Sequence, residues 1–110
     1  MPCLRIFTNL PRTKIPNDFV AKILPILAKS QNKPMEKYIC LISGDCQLSI
    51  AGDSEAPGAV STLESIGVLG PEENKVIVKA ISEFVQQELQ IEPRLLGFNV
   101  CNEIILALMA

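Results

Sequence analysis

The chain begins Met1-Pro2, and a small second residue permits removal of the initiator methionine. Removal exposes the proline ring nitrogen as a secondary amine, whereas retention leaves it an amide without basicity. In an apolar pocket the charged form of an amine is disfavoured, which lowers its pKa from the about 7.7–8.0 of an ordinary α-amine. A neutral ring nitrogen can then abstract a proton near neutral pH. A Met-Pro start is common among unrelated chains. It gains weight here because the strand-like Cys3-Leu-Arg-Ile-Phe-Thr-Asn9 follows immediately and fixes the terminus in a sheet.

Lys33, just before Pro34, is the second group of interest. It can serve only as a cation favourably placed at a helix C-terminus. It can also pair with a substrate carboxylate and, through its positive field, favour the neutral Pro2 amine. Ser65-Ile66-Gly67 lies where a strand breaks into a turn, so a backbone N–H there can hold an anion or an enolate oxygen while Ile66 supplies an apolar wall. The simpler alternative is a strand end followed by a glycine.

Other chemistries find less support. The chain has no histidine, which removes Ser-His and Cys-His activation and any mixed cysteine–histidine zinc site. The four cysteines, at positions 3, 40, 46 and 101, form no CxxC pair and are expected as reduced thiols. Asp53 and Glu55 fall in a loop, and Glu64 points opposite Leu63 and Ser65, so no paired-carboxylate site is expected. Gly67-Val-Leu-Gly70 lacks the full glycine pattern of a phosphate-binding loop.

These groups must be positioned by a small fold. A length of 110 residues fits a single domain spanning 1–110, with 101–110 an apolar tail. The composition is 48% hydrophobic and 20% charged. Ten Lys and Arg against twelve Asp and Glu are dispersed, which argues against nucleic-acid binding. No apolar run is long enough to span a bilayer, so no membrane association is expected. The N-terminus also lacks the pattern of a cleavable secretion signal. Cytoplasmic location is the expectation, with secretion by a signal-free route left open.

After the first strand, Asn17 is placed to cap a helix whose buried face is Phe19, Ile23, Leu24 and Leu27. Pro25 predicts a kink in that helix. Strands are expected at Tyr38–Ile42, Gln47–Ala51, Ala59–Ile66 and Arg94–Val100. A second helix begins at Pro71, with Ile77, Ala80, Ile81, Phe84, Val85 and Leu89 as its buried stripe. The predicted class is therefore α/β (α+β): two βαβ repeats forming one sheet with two helices on one face. The other face, with Ile6, Leu41 and Leu63 among the sheet positions two helices cannot all cover, is expected to pack against other subunits.

In combination, Met1-Pro2 before a strand, Thr8-Asn9-Leu10-Pro11, Pro16, Lys33-Pro34, the Gly52-to-Pro57 stretch and Ser65-Ile66-Gly67-Val68-Leu69-Gly70 resemble the macrophage migration inhibitory factor and D-dopachrome tautomerase family. The last segment is more similar to the D-dopachrome tautomerase branch. The resemblance covers about residues 1 to 100. It implies a tautomerase fold assembled as a homotrimer, with active sites at subunit interfaces and no cofactor. Pro2 becomes the general base acting on a small aromatic carboxylate, either an arylpyruvate or a D-dopachrome-type substrate that is also decarboxylated. Lys33 binds the carboxylate, and Ser65 and Ile66 complete the substrate contacts. Leu96 and Phe98 stand where the migration-inhibitory-factor branch has a pocket tyrosine and asparagine, and become a pocket wall. That branch's CxxC falls on Gly58-Ala-Val-Ser61, so its redox activity is not expected. Residues 101–110 diverge from the family's C-terminal hairpin, which keeps an alternative in play: a cytokine-like subunit that binds a cell-surface receptor with weak or absent catalysis.

Overall fold

A computed structural model describes residues 2–32, 34–65 and 71–102. Four strands, β1 (Cys3–Thr8), β2 (Ile39–Ser43), β3 (Ala59–Ser65) and β4 (Leu96–Asn102), form one mixed sheet in the order β2-β1-β3-β4. β1 and β2 run parallel around helix α1 (Phe19–Gln31), and β3 and β4 run parallel around helix α2 (Pro71–Leu89). The two βαβ units meet through the antiparallel pairing of β1 with β3. This is the expected arrangement of two helices on one face of one sheet.

Period-two alternation decides which residues face the helices. Leu4, Ile6 and Thr8 of β1 are fully buried, as are their register partners Leu63, Ser61 and Ala59 of β3. From above, Phe19, Ile23 and Leu27 of α1 and Ile77, Ile81, Val85 and Leu89 of α2 close over them. Each side chain of this size contributes about 1.5–3 kcal/mol when fully withdrawn from water. The helices touch through Phe19 and Phe84, whose ring centroids lie 5.3 Å apart at a tilted angle, and through Lys22, which reaches Glu88 at 3.1 Å.

The opposite face carries Cys3, Arg5 and Phe7, with Ile39 and Leu41 beside them in register. Phe7, Ile39 and Leu41 are 39%, 45% and 39% exposed. Of the sheet residues expected to lack cover, Leu41 therefore fits that expectation. Ile6 and Leu63 do not: their odd or even place in each strand turns them beneath the helices.

Several boundaries differ from the sequence reading. Gln47–Ala51 is not a strand; only Ile50 pairs, in an isolated bridge with Asp53. Ala51 and Gly52 both have positive φ, at 53° and 79°, and form a tight reversal that ends the pairing after one step. Helix α1 starts at Phe19 with Asp18, not Asn17, in the capping position, and the Asp18 side chain makes no cap bond. It faces Lys22 at 3.5 Å instead. The helix runs through Pro25 as one element. Pro25 and Ala21 both lie on its exposed side, so the carbonyl left without an N–H partner faces water. Residues Pro93–Leu95 form a 3-10 turn, with the Leu95 N–H on the Glu92 carbonyl at 2.9 Å, and β4 begins only at Leu96. At its far end β4 takes in Cys101 and Asn102, opposite Glu64 and Ser65.

Candidate functional site

Pro2 is buried at the entry to β1. Its carbonyl accepts the Ile39 N–H at 2.9 Å, extending the β1–β2 pairing by one step. Because Cys3 pairs with Ile39 on one side and with Glu64 on the other, Pro2 sits level with Tyr38 before β2 and with Ser65 at the end of β3. Strand alternation turns Pro2 to the same face as Leu4, beneath the helices. Pro2 is thus buried at this end of the sheet with its carbonyl fixed by Ile39.

The fold brings two of the sequence-derived residues, Pro2 and Ser65, to this end of the sheet. Lys33 and Ile66 lie outside the described residues, as do Gly67 to Gly70. Their described neighbours flank the same end. Asn32 caps α1 in a left-handed conformation with φ of 54°, its N–H on the Ala28 carbonyl. Pro34 leads into a 3-10 turn at Met35–Lys37 and so to β2.

Leu96 and Phe98 are placed elsewhere. They pair with Ala59 and Ser61, which in turn pair with Thr8 and Ile6. Along the strand direction this puts Phe98 about 13 Å and Leu96 about 20 Å from the level of Pro2. Both are half-buried against the core. Within one chain they are not brought to Pro2.

The sequence reading also missed several positioning contacts. At the far end of β1 the Thr8 hydroxyl donates to the Gly58 carbonyl at 2.7 Å and accepts the Leu10 N–H at 3.2 Å. Asn9 accepts the Gly58 N–H and donates to the Ala56 carbonyl, each at 2.9 Å. The Thr-Asn pair thus clamps residues 56–58 to β1, a role that a recognisable motif can signal but not specify. On the open face Arg5 pairs with Glu64 at 2.6 Å. At the Pro2 end, Tyr38 is buried with its hydroxyl on α1.

The electrostatics elsewhere are structural. Burial, with Cys3 nearby, pushes the Cys40 thiol up to about 11, so it is not a nucleophile at neutral pH. Cys3, Cys40 and Cys46 are free. Asp53 is held below the usual carboxylate range by the N–H groups of Ala56 and Glu55, both 3.0 Å from its Oδ1. Lys22 is raised by its hydrogen bond to Glu88 and by Asp18. Among the described residues, no cluster of three or more His, Cys, Asp or Glu could hold a metal ion, and no helix is long and apolar enough to cross a membrane. A groove of about 440 Å³ lined by Arg12, Asn17, Ser43 and Asp45 opens at the opposite end of β1 and β2 from Pro2, and is unrelated to it.

Comparison with known proteins agrees with this geometry. MIF-like protein mif-2 of Caenorhabditis elegans is 33% identical, over 90% of this chain and 92% of that protein. The macrophage migration inhibitory factor homolog of Brugia malayi is 35% identical, over 83% of this chain and 78% of its own length. The solved macrophage migration inhibitory factor of Trichinella spiralis superimposes with a TM-score of 0.84 at 26% identity, covering 91% of this chain and 88% of that one. Residues 1–102 match the family described as macrophage migration inhibitory factor (MIF), and the chain belongs to that family.

Proposed function

We propose that this chain is a cofactor-independent tautomerase of the D-dopachrome type whose base is the Pro2 amine, freed by loss of Met1. The observation that carries the reading is the burial of Pro2 at the start of β1, with its carbonyl fixed by Ile39. A catalytic atom held in this way loses little entropy when substrate arrives. The family's tautomerase-type function supports the same reading.

The neutral ring nitrogen takes the proton from the carbon next to the carbonyl of an arylpyruvate. The bonding pair forms the carbon–carbon double bond of the enol, and the carbonyl oxygen takes up a proton. With a D-dopachrome-type substrate the carboxylate leaves as carbon dioxide and its bonding pair stays in the ring. Lys33 binds the substrate carboxylate, and the main-chain N–H at Ile66, next to Ser65, supports the developing oxyanion. Since Leu96 and Phe98 cannot reach Pro2 in their own chain, they serve as the pocket wall for a neighbouring copy in a homotrimer of single tautomerase-like domains. The exposed Phe7, Ile39 and Leu41 supply apolar surface for assembly.

Following phenylpyruvate and D-dopachrome by absorbance, with the parent beside Pro2→Gly and the intact mass confirming loss of Met1, tests the proposal. Turnover that disappears in the variant supports it; unchanged turnover rules out the base. A second reading, a receptor-binding cytokine-like subunit with little turnover, is favoured by the divergence of residues 101–110 from the family's C-terminal hairpin. It predicts a folded, processed protein that binds a receptor ectodomain and leaves both substrates untouched.

A further inference from the structure

Tyr38 is the only tyrosine of the chain, and it is 8% exposed. Its hydroxyl lies 2.5 Å from Gln31 Oε1 and 3.3 Å from the Leu27 carbonyl oxygen, both in the last turns of α1. Burial raises the pKa of this hydroxyl, so it stays protonated and available as a donor. One proton cannot serve two acceptors. Both contacts are bonds at once when the Gln31 amide is turned to donate to Tyr38 and Tyr38 donates to Leu27. That orientation gives the Gln31 amide nitrogen a bond to Tyr38 and leaves Oε1 in the buried position that the nitrogen otherwise holds without a partner.

The other end of the residue bears on Pro2. The N–H that holds the Pro2 carbonyl belongs to Ile39, in the peptide unit whose carbonyl is that of Tyr38. Pro2 is therefore hung from a peptide whose position is set by a side chain tied to α1. We infer that Tyr38 is a positioning residue for Pro2: its hydroxyl tether to Leu27 and Gln31 fixes the start of β2 and, through the Ile39 N–H, the orientation of the proline ring. The inference rests on the reading of Pro2 as the base.

Tyr38→Phe keeps the buried ring and removes only the tether. Two readouts are taken on the full chain: kcat and KM for phenylpyruvate, and the carbon NMR signals of isotopically labelled Pro2. A displaced base lowers kcat about tenfold while KM stays within about twofold. The Pro2 signals shift, while the Gly58 amide, held by Asn9 at the other end of β1, does not. A kcat and a Pro2 spectrum that match the parent overturn the inference. Should Tyr38→Phe fail to fold, Gln31→Leu removes the Gln31 bond from the helix side while leaving that to Leu27, and an unmoved Pro2 signal there overturns the two-bond tether as stated. If Pro2→Gly leaves parent turnover intact, the base reading fails on its own, and the tether is then decided by the Pro2 spectrum alone.

Discussion

Asn9 and Gly58, 49 positions apart in the sequence, are joined by a hydrogen bond in which the Gly58 N–H donates to Asn9 Oδ1 at 2.9 Å. The same side chain donates to Ala56. The end of β1 and the approach to β3 are therefore registered by one amide, before the first ladder pair, Thr8 with Ala59. Asn9→Ala removes both bonds and leaves a half-buried N–H and carbonyl to find water. The expected cost is about 1–3 kcal/mol, read as a lower urea midpoint with an unchanged slope. Asn9→Asp keeps the acceptor for Gly58 and loses less.

Gly44 is pinned by packing. A Cβ there would stand 2.9 Å from the Leu10 carbonyl oxygen and 2.9 Å from Ile15 Cδ1. That carbonyl cannot easily retreat, because it accepts the Asp45 N–H at 2.8 Å. Gly44→Ala is expected to destabilise by about 1–3 kcal/mol, measured by chemical denaturation, with the loss concentrated in amide protection around residues 43–46.

Arg5 and Glu64 form an asymmetric pair, since their side chains are 41% and 10% exposed. Removing Glu64 leaves an arginine that water can solvate. Removing Arg5 leaves a carboxylate mostly withdrawn from water without its cation. Arg5→Ala is therefore expected to cost more than Glu64→Gln, by about 1 kcal/mol or more after allowance for screening. Equal losses in thermal or urea melts would contradict this.

The Cys40 thiol, raised from 9.0 to about 11 mainly by burial and then by Cys3, makes two linked predictions. In the native chain it resists alkylation at pH 8, and in urea it reacts freely; peptide mass mapping reads both. Between pH 9 and about 11 the folded chain keeps a proton that the unfolded chain has released. Stability must then fall as pH rises through that window, and the fall should be missing in Cys40→Ala.

The helices and all four strands were legible because their residues obey simple periods. Phe19, Ile23 and Leu27, or Ile77, Ile81 and Val85, can share only one face of a helix. Gln47–Ala51 alternates just as well, yet it pairs only through the single Ile50–Asp53 bridge, and the positive φ of Ala51 ends that pairing. Alternation reports the shape of a segment and not the presence of a partner. The open-face residues illustrate the same limit: only the register of β1 with β3 shows that Ile6 and Leu63 are covered. The burial of Pro2 at the head of β1 was legible from its place before a strand, whereas the bonding of Tyr38 to α1 was not. Its importance comes from two hydrogen bonds to another element that no local pattern encodes.

The proposed chemistry depends on a free ring nitrogen, and that can be removed with little disturbance to the fold. Inserting one alanine between Met1 and Pro2 converts the amine to an amide while the rest of the chain is unaltered. Phenylpyruvate tautomerisation by this variant, at equal folded concentration, should fall by about 10²-fold or more relative to the processed parent. Equal rates in the two proteins would contradict the account.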